Sequence, residues 1–175
     1  ALSTTGSADL DATAGTITLG DTVSAAGVTA DAGTDVAVNA AVTAATDGIA
    51  ITAANAVTSS AAGTLTANAN GDVTVTATAA NITLAGDVTG AGDGLVALTA
   101  GTSIETTTAD IEAGNGSVTA TANNGSVTIA GHDIHEAPCQ AKQHIGFLPE
   151  QPPLYNDLTV DEYLNYAAKL RGVKK

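Results

Sequence analysis

Met and Trp are absent from all 175 residues, and Lys, Arg, His, Pro, Gln, Cys, Phe and Tyr are all absent before position 132. Each gap excludes something. A surface without a single Lys or Arg cannot neutralise phosphates, so nucleic acid is excluded as a partner of residues 1–131 and anionic lipid is disfavoured. Without His or Cys, that stretch has no imidazole base and no thiolate nucleophile. The one cysteine, Cys139, cannot form an intramolecular disulfide. No run of 18 apolar residues exists, so no segment spans a membrane as a helix. The chain begins at Ala1 with no charged-then-apolar leader, which reads as a processed product or an excised fragment.

What remains is a narrow alphabet of Ala, Thr, Gly, Val, Ile, Leu, Ser, Asn and Asp, with two Glu. The formal charge of −13 is uneven: residues 1–131 carry twelve carboxylates and no cation, residues 132–175 six against five. That step divides the chain into 1–131 and 132–175.

Short alternating runs recur along the first part: Ile49-Ala50-Ile51-Thr52-Ala53, Val73-Thr74-Val75-Thr76-Ala77, Val96-Ala97-Leu98-Thr99-Ala100 and Val118-Thr119-Ala120-Thr121. The glycines that open these four runs and the related Val28-Thr29-Ala30 stand at 27, 48, 71, 94 and 116, at intervals of 21, 23, 23 and 22. A period in this range marks a solenoid, because one unit cannot bury its own apolar face. Period-two alternation sends Val and Ile to one side and Thr to the other. Further short runs, such as Ile82-Thr83-Leu84, lie between Gly, Asn and Asp corners. Together they predict an all-β fold: a right-handed parallel β-helix of about five to six coils, roughly 25–30 Å long at ~4.8 Å per coil. A short, mostly α-helical C-terminal segment follows. The rival is a β-sandwich built from the same strands, which normally packs aromatics that residues 1–131 lack.

The rod offers little chemistry. Thr29, Thr52, Thr76, Thr99 and Thr121 recur at intervals of 23, 24, 23 and 22 and suggest a threonine face. A flat threonine face is one way solenoids bind ice, whereas stacked threonine is also simply a good strand residue on a solvated surface. Asp21, Asp72, Asp87 and Asp93 adjoin or neighbour glycines, and turn aspartates hold calcium in some solenoids; the nine-residue calcium repeat is absent. No catalytic residue and no cofactor are expected.

The Gly/Asn-x-Val/Ile-Thr-Leu/Val-Thr-Ala runs, with spacers such as Ala85-Gly86-Asp87-Val88-Thr89, make residues 1–124 similar to the repeat regions of filamentous-haemagglutinin-like adhesins and autotransporters. The resemblance implies a secreted or cell-surface structural or adhesive rod. Its partners would be other copies, or cell-surface or matrix components, meeting its ends or faces.

Residues 125–173 are written differently. Ile145-Gly146-Phe147-Leu148-Pro149-Glu150-Gln151-Pro152-Pro153-Leu154-Tyr155, then Leu158-Thr159-Val160-Asp161-Glu162-Tyr163-Leu164, closely resembles the ATP-binding subunits of ABC transporters, in the branch serving ABC-2-type exporters and gliding motility. The resemblance implies the strand and Q-loop that lead into the helical subdomain, and a cytoplasmic, transporter-associated origin. Glu150 stands where most members have the Q-loop glutamine, which senses Mg²⁺-nucleotide; Gln151 is its neighbour. No Gly-x-x-x-x-Gly-Lys-Ser/Thr occurs, nor the signature or second nucleotide motif, so ATP and Mg²⁺ would be held only within a complete ATPase. Thr159-x-x-Glu162 is a capping box that predicts a helix over 159–171, with Val160, Tyr163, Leu164, Ala167 and Leu170 on one stripe. That stripe is expected to cover the C-terminal end of the solenoid, and a second short helix is expected at 138–144. His132, His135, Cys139 and His144 match no standard zinc spacing.

Overall fold

The computed structural model describes residues 1–144 and 159–170. Contacts divide the chain into two units, Ala1–Ile145 and Gly146–Lys175.

The first unit is a parallel β-solenoid of six turns, each supplying one strand to each of three sheets. The first sheet stacks Leu2–Ser3, Val23–Ala25, Val42–Ala44, Leu65–Ala67, Val88–Gly90 and Ile111–Ala113. The second stacks the longer strands Ala8–Ala12, Val28–Ala32, Ile49–Ala53, Val73–Ala77, Val96–Ala100 and Val118–Ala122. The third stacks Ile17–Leu19, Val36–Val38, Val57–Ser59, Ile82–Leu84, Ile104–Thr106 and Val127–Ile129. Register along the second sheet advances by 20, 21, 24, 23 and 22 residues, close to the glycine period.

Alternation within each strand builds the core. Val28, Ala30 and Ala32 are buried while Thr29 and Asp31 are exposed. The same pattern recurs from turn to turn, so the lumen is a continuous aliphatic column that includes Ile49, Ile51, Leu65, Ile82, Leu84, Leu98 and Ile104, each at most 2% exposed. Burying one such side chain stabilises by about 1.5–3 kcal/mol. Aromatic rings are unnecessary because the three short sheets leave room only for aliphatics. One inward polar group, Thr106, donates to the Thr128 carbonyl at 3.4 Å.

Both ends of the column are less closed. At the N-terminal end a shallow cavity of about 240 Å³ opens among Leu2, Leu10, Leu19 and Val23. At the other end, Val118 is 45% exposed although its partners one and two turns back, Val96 and Val73, are fully buried. Among the described residues, an added strand finishes the third sheet alone: His132–Asp133 turns back and pairs antiparallel with Val127–Ile129, covering its last edge. Helix α1 (Pro138–Gln143) packs on that added strand and buries Ala141. Within this unit, His132–Asp133 and α1 together cover that edge. Antiparallel return is favoured here because Gly131 and Ala130 adopt positive φ, reversing the chain in two residues.

In the second unit, α2 spans Val160–Leu170. Its capping box is formed: the Glu162 N–H donates to the Thr159 hydroxyl at 3.4 Å, and the Thr159 N–H and hydroxyl both donate to the Glu162 carboxylate. These bonds, the hydroxyl first, hold the Glu162 carboxyl below its usual range. Val160 and Leu164 are 78% and 60% exposed.

At the corner before the second sheet, turns approach too closely for a side chain. A methyl at Gly94 would run into the Gly71 carbonyl oxygen, and one at Gly116 into that of Gly94. At Gly20, by contrast, nothing lies within 4 Å of the added carbon. Gly94→Ala should therefore cost about 1–3 kcal/mol in denaturant unfolding, the usual range for overpacking, with Gly20→Ala close to neutral. Equal stability of the two variants would contradict the corner stacking.

Candidate functional site

The second sheet presents the widest outer face, with two columns of outward side chains. One runs Asp11, Asp31, Thr52, Thr76, Thr99, Thr121; the other Asp9, Thr29, Ala50, Thr74, Ala97, Thr119. Four of the five threonines read from the sequence thus share a column. Thr29 sits in the neighbouring one, since Asp31 and not Thr29 registers with Thr52. Counting intervals could not reveal this, because the coil before Ile49 is one to three residues shorter than those that follow it.

A second column was missed by sequence reasoning. Ser3, Ser24, Thr43, Thr66, Thr89 and Glu112 line the outside of the first sheet. Its strands are two or three residues long with one outward position each, too short for alternation to stand out. The third sheet carries Thr18, Ala37, Thr58, Thr83, Glu105 and Thr128 outward. At the N-terminal end the wide face turns acidic, with Asp11 directly beside Asp31, and the Thr29 hydroxyl donating to Asp9 at 2.6 Å. Asp21 pairs with the terminal ammonium of Ala1 at 3.4 Å.

The corner carboxylates and amides have a different task. Asp72 accepts the Leu95 N–H at 2.9 Å, Asp87 the Asp110 N–H at 3.0 Å, and Asp35 the Ala56 N–H at 3.1 Å. Asn81 accepts the Ser103 N–H at 3.2 Å, and Ser103 in turn the Ser126 N–H at 3.3 Å. One rule covers these rungs: the residue preceding a strand caps the backbone N–H at the same position one turn on. The corner leaves the ladder there, and the side chain supplies the acceptor. Asp93 accepts from the Asn115 side-chain amide at 3.2 Å. Three of the four aspartates considered for calcium, Asp72, Asp87 and Asp93, are thus engaged turn to turn. Among the described residues, no group of three or more His, Cys, Asp or Glu is placed to hold a metal ion.

The histidines and cysteine do not converge either. His132 and His144 stack, ring centroids 5.6 Å apart and 20° from coplanar. His132 registers with Ile129 and so lies on the lumen side of the sheet, whereas His135 and Cys139 are exposed. Asp133 organises this turn: its carboxylate accepts the backbone N–H of Glu136 at 2.9 Å and of His135 at 2.7 Å. The Glu136 bond foremost, then Ser126 and His135, holds the Asp133 carboxyl below its ordinary value of 3.8. The Q-loop-like Glu150 and Gln151 lie outside the described residues.

Comparison with known proteins returned one partial likeness. Over 52 residues the chain is 40% identical to "ABC transporter ced-7" of Caenorhabditis elegans, a stretch that covers 30% of this chain and 3% of that protein. No family model matches, and no solved structure matches. No adhesin family is shown.

The Asp133 turn gives a pH dependence with a definite sign. A carboxyl whose folded-state pKa is depressed adds stability that is complete above its unfolded value and fades as pH falls through the folded one. Amide exchange at His135 and Glu136 should therefore accelerate as pH drops below 3.8, after correction for intrinsic rates. Asp133→Asn should remove that dependence. Protection that stays flat in the wild-type chain down to complete unfolding would contradict the Asp133 cap.

Proposed function

We propose that this chain is a non-enzymatic structural or adhesive rod, secreted or displayed at a cell surface, that carries an ABC-ATPase-like segment at its C-terminal side. The observation that supports this best is how the solenoid uses its polar groups. Lumen positions are aliphatic, corner carboxylates and amides bind the next turn, and what remains outward is columns of Thr, Ser and Asp. Such a surface can pack against another surface or interact with water. It brings no base, nucleophile and oxyanion donor together. An acidic rod without a cation also stays soluble and repels its own kind at low ionic strength. The favoured partners are therefore copies or matrix components met through the ends or flat faces, at ionic strengths that screen its charge.

A second reading has its own observation. The 40% identity over 52 residues to an ABC transporter supports an origin of that stretch in a nucleotide-binding protein. Without a Gly-x-x-x-x-Gly-Lys-Ser/Thr loop, a Q-loop-like segment has nothing to hold phosphates.

Two measurements separate the readings. Protease added to intact source cells should remove the chain without lysis, and equilibrium dialysis should show no micromolar binding of Mg²⁺-ATP. Protection until lysis, together with micromolar nucleotide affinity, would favour the ABC reading and refute the exported rod.

A further inference from the structure

Three Asn-Gly pairs occur in the solenoid: Asn70-Gly71, Asn115-Gly116 and Asn124-Gly125. This dipeptide is chemically labile because glycine adds no side chain to obstruct its own backbone nitrogen. That nitrogen, once deprotonated, can attack the Cγ of the preceding side-chain amide. A C–N bond forms, ammonia leaves with the Cγ–Nδ2 bond, and a five-membered succinimide results. Solvent water then opens the ring at either carbonyl, leaving aspartate or, with the backbone rerouted through the side chain, isoaspartate. The reaction needs a mobile side-chain carbonyl and an unengaged glycine N–H.

The three sites differ in both respects. At the first, the Gly71 N–H donates to the Asn68 carbonyl at 3.0 Å, Gly71 is buried, and the Asn70 side-chain oxygen is held by the Asp93 N–H at 3.1 Å. Nucleophile and electrophile are both engaged. At the second, the Asn115 side-chain nitrogen donates to Asp93 at 3.2 Å and its backbone N–H to the Gly92 carbonyl at 2.6 Å, restraining the side chain but not the Gly116 nitrogen. At the third, Asn124 and Gly125 are both exposed in a bend, and among the described residues no hydrogen bond engages the Asn124 side chain or the Gly125 N–H.

We propose that Asn124 is a site of spontaneous covalent modification, deamidating through a succinimide with Gly125, while the fold protects Asn70. The position gives the reaction a structural consequence. Gly125 packs closely on the Ser103 hydroxyl, and the next residue, Ser126, donates its N–H to that same oxygen at 3.3 Å. Isoaspartate at position 124 adds a methylene to the backbone two residues before this rung, the last of the corner series. The product should therefore loosen the final turn at Val127–Ile129, where the third sheet takes on its antiparallel strand.

The test is to age the full chain, folded and in urea, in mildly alkaline buffer and follow each Asn-Gly peptide by mass spectrometry. Isoaspartate would be scored by enzymatic methylation. In the folded chain Asn124 should convert at least about tenfold faster than Asn70, since Asn70 must wait for local opening, with Asn115 between them. In urea the three rates should converge, and Asn124→Gln should abolish the fast phase. Asn70 or Asn115 converting as fast as Asn124 in the folded chain would overturn the proposal. So would an unchanged Asn124 under conditions in which the unfolded chain reacts.

Discussion

Everything in the solenoid follows from stacking each turn on the one before it in parallel, with backbone N–H and C=O groups bonded along the rod axis. That ladder fixes the spacing between turns, so identical positions on successive turns become neighbours. Inward positions then share one narrow lumen and must be small and aliphatic. Outward positions form columns, and corner positions must either lose their side chains, as at Gly94, or use them to cap the next turn, as Asp72 and Asn81 do. The restricted alphabet of residues 1–131 is what those three demands leave.

Much of this was legible because a repeat magnifies weak local signals. Val-Thr-Val-Thr-Ala once is ambiguous; its relatives at 49, 96 and 118 fix both the face and the period. Five to six coils, parallel strands and the aliphatic lumen followed directly from that, and the structure has six. Register did not, because the advance from turn to turn varies between 19 and 25 residues and each change shifts the columns. Thr29 was displaced from the main column for this reason, and the Ser24–Thr43–Thr66–Thr89 column passed unnoticed. The corner rungs were also invisible, since Asp and Asn near glycine read as turn formers, and their acceptor role exists only across turns.

The C-terminal side of the first unit shows a compromise. Composition changes at residue 132, yet strand and helix continue on the solenoid through Ala141, and the third sheet gains an antiparallel strand. Among the described residues a single added strand covers one edge of three, and Val118 on the neighbouring sheet is exposed. Such an end resembles neither a finished cap nor a flexible linker. The strand Val127–Ile129 serves both neighbours: it stacks in parallel on Ile104–Thr106 and pairs antiparallel with His132–Asp133.

The register is the central claim, and paired cysteines test it directly. Thr76 and Thr99 are 23 residues apart and directly adjacent across turns, whereas Thr29 and Thr52 are also 23 apart but lie diagonally in different columns. Neighbouring parallel strands at ~4.8 Å are within disulfide reach, and a diagonal of ~7–8 Å exceeds it. In a Cys139→Ser background, Thr76→Cys with Thr99→Cys should oxidise readily to an intramolecular disulfide, and Thr29→Cys with Thr52→Cys should not. Equal oxidation of the two pairs, or the reverse preference, would contradict the solenoid register on which this account rests.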